Sequence, residues 1–419
     1  MEKTFKILFN ILRIVFGLYF IFSGFTKGID PIGSAYRFND YFTAFGWHQM
    51  PDLALMMSFL LAGAEFLIGF ALVSGIFMTL TAWTALCFMI FFTALTFILA
   101  ITNLVTDCGC FGDAVKLTNW ETFYKNLVTF PFIAFLFFRR KKFSFKSPKW
   151  LQWPVLVFGL TVFYGVSIYS YTHLPVIDFM PYSIGTNIAN KMKIPAGEPQ
   201  DEYETLLLYK NKKSGEVKEF TMQNYPWQDT VNWKWADTKS VLKKKGYTPP
   251  IHDFAISDPT GNSITNKLLS DTTYSFLFIS YNLNKTNPEN LILGEEINAF
   301  CNATKKAKFY AITASSGNDI QRLKQNYRIS YDFYTGDETA LKTIIRSNPG
   351  LVLIKNGTII NKWPLSEIKG INLNKSDFLS ESIVNLRKQN EQKVLLISLV
   401  TLGFVCSLLW AIVLYFKKK

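Results

Sequence analysis

A chain of 419 residues that is 49% apolar and 16% aromatic, with 39 Phe, lacks the composition of an average soluble domain. Its formal net charge of +13 would suit a nucleic-acid binder, but the cations are placed otherwise: "RRKKFSFKSPK" (139–149) lies between two apolar runs and "KKK" (417–419) directly follows another, as topology-setting residues beside membrane spans do. Five cysteines are too few for a disulfide scaffold.

The N-terminus begins like a signal peptide, yet Arg13 interrupts its apolar part and no clean small-residue cleavage site follows, so a retained first helix is expected. A bilayer-crossing helix needs about 20 apolar residues, and six segments answer to this: 7–25, 53–73, 77–101, 123–138 (interrupted by Pro131), 151–171 and 394–416. Placing Lys3, Lys6, the 139–149 run and the C-terminal lysines on the cytoplasmic side satisfies six spans without conflict. Both termini are then cytoplasmic, and the loops 27–51 and 103–121 and the large segment after Thr172 face outward. The stretch "KGIDPIGSAYRFNDYF", with Lys27, Asp30, Arg37 and Asp40, is expected on the membrane surface over the bundle, its charges reading equally as a solvated face or a site.

After the fifth span, "HLPVIDFMPYSIGTNI" is too apolar for a free linker and, with Pro175, Asp178 and Pro181, reads as a fixed junction. From 182 to 247, "YETLLLYKNKKSGEVKEFTM" predicts a hairpin turning at Lys213-Ser214-Gly215, followed by the aromatic "YPWQDTVNWKW". From 250 to 373, strand and helix patterns alternate: "DFAISDPTGNSI", the buried strand "YSFLFISYN", the helical "NPENLILGEEINAFCNATKKA", the strand "KFYAITAS", the helical "GNDIQRLKQNYR", and "NPGLVLIKNGTIINKWP", two strands about an Asn-Gly turn. The expected division is a four-helix membrane domain (1–140), a basic loop and fifth span (141–172), a junction and β-rich segment (173–249), an α/β domain (250–373), and a linker with the last span (374–419).

Cys87 and Cys406 lie within apolar runs and read as inert packing residues, and Cys301 as a buried helix residue. Cys108 and Cys110, in "DCGCFGD" (107–113), form the one pair in sequence, on the side where disulfides persist. A Cys-x-Cys disulfide closes a small ring, with Gly109 supplying backbone freedom. Strain and exposure make such a bond labile, as a redox relay requires. Asp107 and Asp113 are expected to tune these thiols, raising their pKa values by repulsion unless one acts as a base. A static disulfide, a partial metal site and two unpaired thiols compete with the redox pair; a metal would want more ligands, and His48, His173 and His252 are distant in sequence. Glu65 lies near the middle of the second span, with Lys27 its candidate partner. Intramembrane charge marks either a polar route or a hydrogen-bonded packing contact.

Residues 1–140 resemble the DoxX-like superfamily, and within it the MauE-type methylamine-utilisation proteins, through "FSGFTKGIDP", "GAEFLIGFALVSG" and, most specifically, "DCGCFGD". The resemblance implies thiol–disulfide chemistry outside the cytoplasm: MauE-type proteins are associated with disulfide formation in maturing an exported enzyme, and other DoxX-like proteins with quinone-coupled sulfur oxidation. Residues 250–363 resemble a thioredoxin-like domain, with "SNPGLVLIKNGTIINKW" similar to its closing hairpin and Pro349 at its cis-proline position. Where that fold opens a helix with Cys-x-x-Cys, this chain reads "NLNKTNPENLILGEE".

The fold expected is an α-helical polytopic membrane bundle plus an extracytoplasmic α/β thioredoxin-like domain, in the inner membrane. The function expected is thiol–disulfide oxidation or relay at the outer face by Cys108 and Cys110, with Glu65 and Lys27 lining a polar route. No cofactor is evident in the sequence; a quinone is the acceptor that analogy supplies. The partners expected are the lipid bilayer and an exported client or redox protein, with no nucleic acid. The alternative is a non-catalytic membrane scaffold whose degenerate thioredoxin-like domain binds a partner protein.

Overall fold

A computed structural model describes residues 2–105, 108–143, 148–199, 202–244 and 246–368. Asp107, Cys406 and the span expected at 394–416 lie outside the described residues.

The chain opens with helices α1 (Glu2–Gly28), α2 (Pro31–Ala44), α3 (Pro51–Ser74), α4 (Met78–Thr102), α5 (Asn119–Phe143) and α6 (Lys149–Thr172). Among the described residues, four helices are long and apolar enough to cross a membrane: Lys3–Gly28, Pro51–Ser74, Met78–Thr102 and Trp150–Thr172. Helix α5 is as long, with 25 residues, but is less apolar, because Asn119, Glu121, Lys125, Asn126 and the basic Arg139–Lys142 lie on it. It packs against α4, where Asn126 Nδ2 donates to Thr96 Oγ1 at 3.2 Å. The outward faces leave Ile11, Val15, Leu60, Leu80 and Phe91 exposed, a surface that suits lipid rather than water. Cys87, expected to be packed, is exposed on α4, because its helix face turns outward with Trp83, Ile90 and Phe91.

Helices α1 and α3 approach backbone to backbone. A Cβ on Gly24 would stand 2.4 Å from Phe66 N and 2.6 Å from Ala62 O, and one on Gly69 2.5 Å from Gly17 O. Small residues permit this approach, which membrane helices use because lipid offers no hydrophobic drive to associate. Phe9, Phe20, Ile68, Leu72, Ile133 and Leu136 fill the bundle core.

The segment Thr186–Phe254 is a separate compact unit. It holds the short α7 (Ile188–Lys191) and a three-stranded antiparallel sheet of β1 (Glu202–Asn211), β2 (Val217–Thr221) and β3 (Trp233–Lys244), in the order β2-β1-β3. Gly215, at φ +74°, makes the β1–β2 turn.

The remaining chain returns to the first unit with β4 (Ile256–Ser257), α8 (Thr265–Leu269), β5 (Tyr274–Ile279), a 3-10 turn at Leu283–Lys285, α9 (Pro288–Thr304), β6 (Ala307–Thr313), α10 (Gly317–Tyr327), β7 (Phe333–Gly336), α11 (Glu338–Ile344), β8 (Gly350–Lys355), β9 (Thr358–Pro364) and α12 (Leu365–Ile368). The sheet order is β4-β7-β6-β5-β8-β9. Strands β5, β6 and β7 run parallel, and β8 and β9 close the edge as an antiparallel hairpin. Central β5 is buried from Ser275 to Ile279, as a strand covered on both faces must be. With cis Asn348–Pro349 directly before β8, this is a thioredoxin-like fold. The stretch after α6 is indeed tied down: Lys362 Nζ meets Asp178 Oδ2 at 2.9 Å, Gly185 N donates to Ile359 O at 2.8 Å, and Tyr182 is fully buried.

Gly24→Val should force α1 off α3 and cost about 1–3 kcal/mol, seen as a lowered thermal midpoint in detergent. Gly165→Ala, where a Cβ meets nothing within 4 Å, should leave the midpoint unchanged.

Candidate functional site

The Gly24 contact sets the site. One turn beyond it on α1 stands Lys27, and one turn beyond Ala62 on α3 stands Glu65. Their ion pair, Nζ to Oε2, is 2.6 Å long, with Lys27 only 8% exposed and Glu65 4%. Ser23 Oγ lies 2.9 Å from Glu65 Oε2 and 3.0 Å from Lys27 Nζ. The ammonium also donates to the backbone carbonyl of Cys110. With the Ser23 carbonyl at 3.5 Å, acceptors surround all the donors of one lysine, which is what makes a buried charge tolerable.

The loop between α4 and α5 is held by its peptide groups. Tyr41 OH donates to Cys108 O at 3.0 Å, Lys27 to Cys110 O, and Asn119 Nδ2 to Val105 O at 2.8 Å. Gly109 and Gly112 adopt φ of +64° and +55°, and Gly112 N closes a turn on Gly109 O at 3.0 Å. Phe111 packs edge-on against Tyr19 and under the Lys125 ammonium, 4.6 Å from its ring centre.

Both cysteines are thiols, with Sγ atoms 3.1 Å apart. Their contact makes them unequal: the hydrogen bond from Cys108, with Lys125 and Lys27 nearby, pulls Cys110 down to about 6, whereas the same bond and burial push Cys108 up. The expectation that Asp113 would raise the thiols by repulsion is not met at Cys110. Asp113 is instead within 3.6 Å of both Arg37 and Arg346, so cations neutralise its charge. Asp107 lies outside the described residues.

Cys108, Gly109 and Cys110 line one side of a cavity of about 610 Å³, which Lys27, Glu65, Arg37 and Tyr41 also reach. Phe42, Leu61, Phe88, Phe92 and Leu95 make its walls apolar. Phe45, Trp47, Met57, Leu60 and Phe91 line it too and are exposed on the outside of the bundle.

The structure therefore brings together Cys108, Cys110, Lys27 and Glu65, and sets Asp113 against two arginines. Ser23, Tyr41, Lys125 and Arg346 belong to the same neighbourhood and were not among the residues expected from sequence. Only Lys125, a lone cation in an apolar run, carried a signal. Asp30, the N-cap of α2, and Arg37 on that helix have ionic partners rather than forming a solvated face: Arg346 Nε meets Asp30 Oδ2 at 3.0 Å, Arg37 pairs with Asp113, and Asp30 Oδ1 caps α2 through Gly33 N at 2.9 Å.

The α/β domain has no dithiol of its own. After β5, Asn282 caps the 3-10 turn and Asn287 caps α9. Asn348 Nδ2 donates to Asn282 O at 2.8 Å, and Asn348 Oδ1 lies 3.2 Å from Ser280 Oγ. Cys301 is buried, which pushes its thiol up to about 12. Among the described residues, no group of three His, Cys, Asp or Glu is placed to hold a metal ion.

Residues 5–139 match the family of methylamine utilisation protein MauE, and residues 203–245 match a domain of unknown function, DUF8463. No curated protein matches the chain. Among solved structures, the chain is similar to the thioredoxin domain of a thiol-disulfide oxidoreductase from Bacteroides vulgatus, at 14% identity and TM-score 0.22, over 26% of this chain and 81% of that one. It is similar to a secreted Mycobacterium tuberculosis disulfide oxidoreductase homologous to E. coli DsbE, at 13% identity and TM-score 0.23, over 32% and 96%. It is also similar to copper-bound ScoI from Bradyrhizobium japonicum, at 16% identity and TM-score 0.21, over 33% and 97%. These likenesses concern fold alone; the strand order carries the assignment.

Because the thiolate is the nucleophile, alkylation of Cys110 in the reduced protein should be slow below pH 6, rise through about 6 and level off above. An ordinary thiol would keep rising to about 8.5. Mass spectrometry of the 107–113 peptide reads the rate, and Lys27→Met should move the midpoint upward. Glu65→Leu strands the Lys27 charge and should cost about 3–5 kcal/mol, whereas Lys27→Met/Glu65→Leu together should be milder, compared by thermal midpoint.

Proposed function

We propose that the chain is a membrane thiol–disulfide redox protein in which Cys108 and Cys110 alternate between dithiol and disulfide. It would form disulfides in an exported substrate, or relay electrons, at the outer face of the inner membrane. The observation that carries this is the pair of adjacent thiols, 3.1 Å apart, lining an apolar cavity in a helical membrane bundle. The orientation rests on Lys3, Lys6 and the 139–149 cations lying on the cytoplasmic side, with six spans in all.

In the oxidised state, an incoming substrate thiolate displaces Cys110, whose low pKa makes it the better leaving group. The second substrate thiol then releases the mixed disulfide. Two electrons and one proton have passed to the pair, the other proton having gone to solvent when the attacking thiolate formed, and the substrate holds the disulfide. In the reduced state Cys110 carries the thiolate, and Cys108 the proton that must leave for the ring to reform. Ser23, Lys27 and Glu65 form the adjoining polar route for that proton. The apolar walls and the Lys27, Arg37 and Tyr41 end of the cavity suit a lipid-soluble quinone, which when bound would supply the oxidant for two electrons and two protons.

A second reading, a non-catalytic scaffold, is favoured by the amide cluster of Asn282 and Asn348 where a dithiol would stand.

Differential thiol labelling in intact cells, with a brief dithiothreitol pulse and recovery, tests the first. A working pair should be reduced by the pulse and return to the disulfide within minutes; one that stays oxidised throughout is a staple. Cys108→Ser should abolish substrate oxidation at unchanged abundance, an outcome that a scaffold would not produce.

A further inference from the structure

Arg346 is a buried cation that thiol chemistry does not require. It follows α11 and stands two residues before cis Asn348–Pro349, on the loop that Asn348 ties to the turn after β5. Its guanidinium is 9% exposed, meets Asp30 Oδ2 at 3.0 Å and Asp113 Oδ2 at 3.6 Å, and lies 5.4 Å from the ring centre of Tyr36. Its Nη1 also donates to Lys342 O at 2.7 Å. Beside it, Tyr36 OH and Tyr281 OH are 3.1 Å apart, and the Lys342 ammonium sits over both rings at 4.9 and 5.8 Å. Tyr281 directly precedes the turn where a thioredoxin-like dithiol would begin. Burial works against the Arg346 charge, but Asp30 and Asp113 outweigh it and hold its pKa above the ordinary value. With Arg37 on Asp113, two cations face two carboxylates, and the cluster is neutral.

We propose that the partner of this α/β face is the chain's own membrane domain, and that Arg346 is a positioning residue for the Cys-Gly-Cys loop. Through Asp113 it fixes the far end of the loop, and through Asp30 the start of α2, which carries Tyr41 to the Cys108 carbonyl. The face formed by the cis-proline loop and the turn after β5 is thus an internal joint rather than a site for recruiting a client. The effect on the thiols rests on the redox function proposed above; the docking does not.

A benzophenone amino acid at Tyr281 in the full chain, irradiated in native membranes, tests the joint. The expected product has the mass of one chain, with a cross-linked peptide joining residue 281 to α2. A main product of higher mass containing another protein, or no link to α2, overturns it. In a second experiment, Arg346→Ala should raise the rate of Cys110 alkylation about tenfold by freeing the loop, since removing one partner of a buried ion cluster is strongly disruptive. Arg346→Lys should recover most of the wild-type rate, and an unchanged rate in Arg346→Ala overturns the positioning role. An intrachain link with a redox-inert pair would leave the joint standing and end the redox reading; a cycling pair without the link would do the reverse.

Discussion

One lysine ammonium, seated between two membrane helices, holds the rest in place. Charge in a bundle interior is costly unless its partner and every hydrogen-bonding position are supplied. Lys27 finds Glu65 on α3, Ser23 one turn back on its own helix, and the carbonyl of Cys110 on the loop. The first contact fixes α1 against α3, where glycine has already removed the space for error. The last transfers that fixed geometry to the thiol loop. The electrostatics of the pair and the packing of the helices are therefore one constraint: moving either helix would uncover a charge.

A second electrostatic unit lies beyond the first. Asp30, Arg37, Asp113 and Arg346 neutralise one another between α2, the thiol loop and the α/β domain. The α/β domain keeps the strand order and cis-proline of a thioredoxin-like fold and places amides and tyrosines where chemistry would be. Its polar face is satisfied by the membrane domain, much as the Lys27 head is satisfied by the loop.

Much of this was legible in the sequence, for physical reasons that also mark the limits. Long apolar runs gave α1, α3, α4 and α6 because a bilayer dictates their length, and alternating strand and helix patterns gave the α/β domain. Glu65 and Lys27 could be paired on paper because few charges interrupt those runs. Strand β3 was not seen: "WKWADTKSVLKK" is largely exposed, so it carries no period-two signal. The cations beside Asp113 were not legible, because adjacency along the chain says nothing about which distant side chains meet it. Arg346 was invisible, since its partner Asp30 is 316 positions away and no local pattern encodes such a meeting. Ser23 and Tyr41 look like ordinary members of a span and an amphipathic helix until the loop is set beside them.

The loop is gripped by Tyr41 and Lys27 through two main-chain carbonyls and by glycine turns. Its main chain is thus fixed by groups on α1 and α2 as well as by the two side chains at 108 and 110. The scaffold works as a socket: the main chain is the mount, and the two sulfur atoms are the fitting it presents. The α/β domain, complete in architecture without a dithiol, shows the same separation: its sheet is a mount assembled by backbone pairing, whatever the turn after β5 carries.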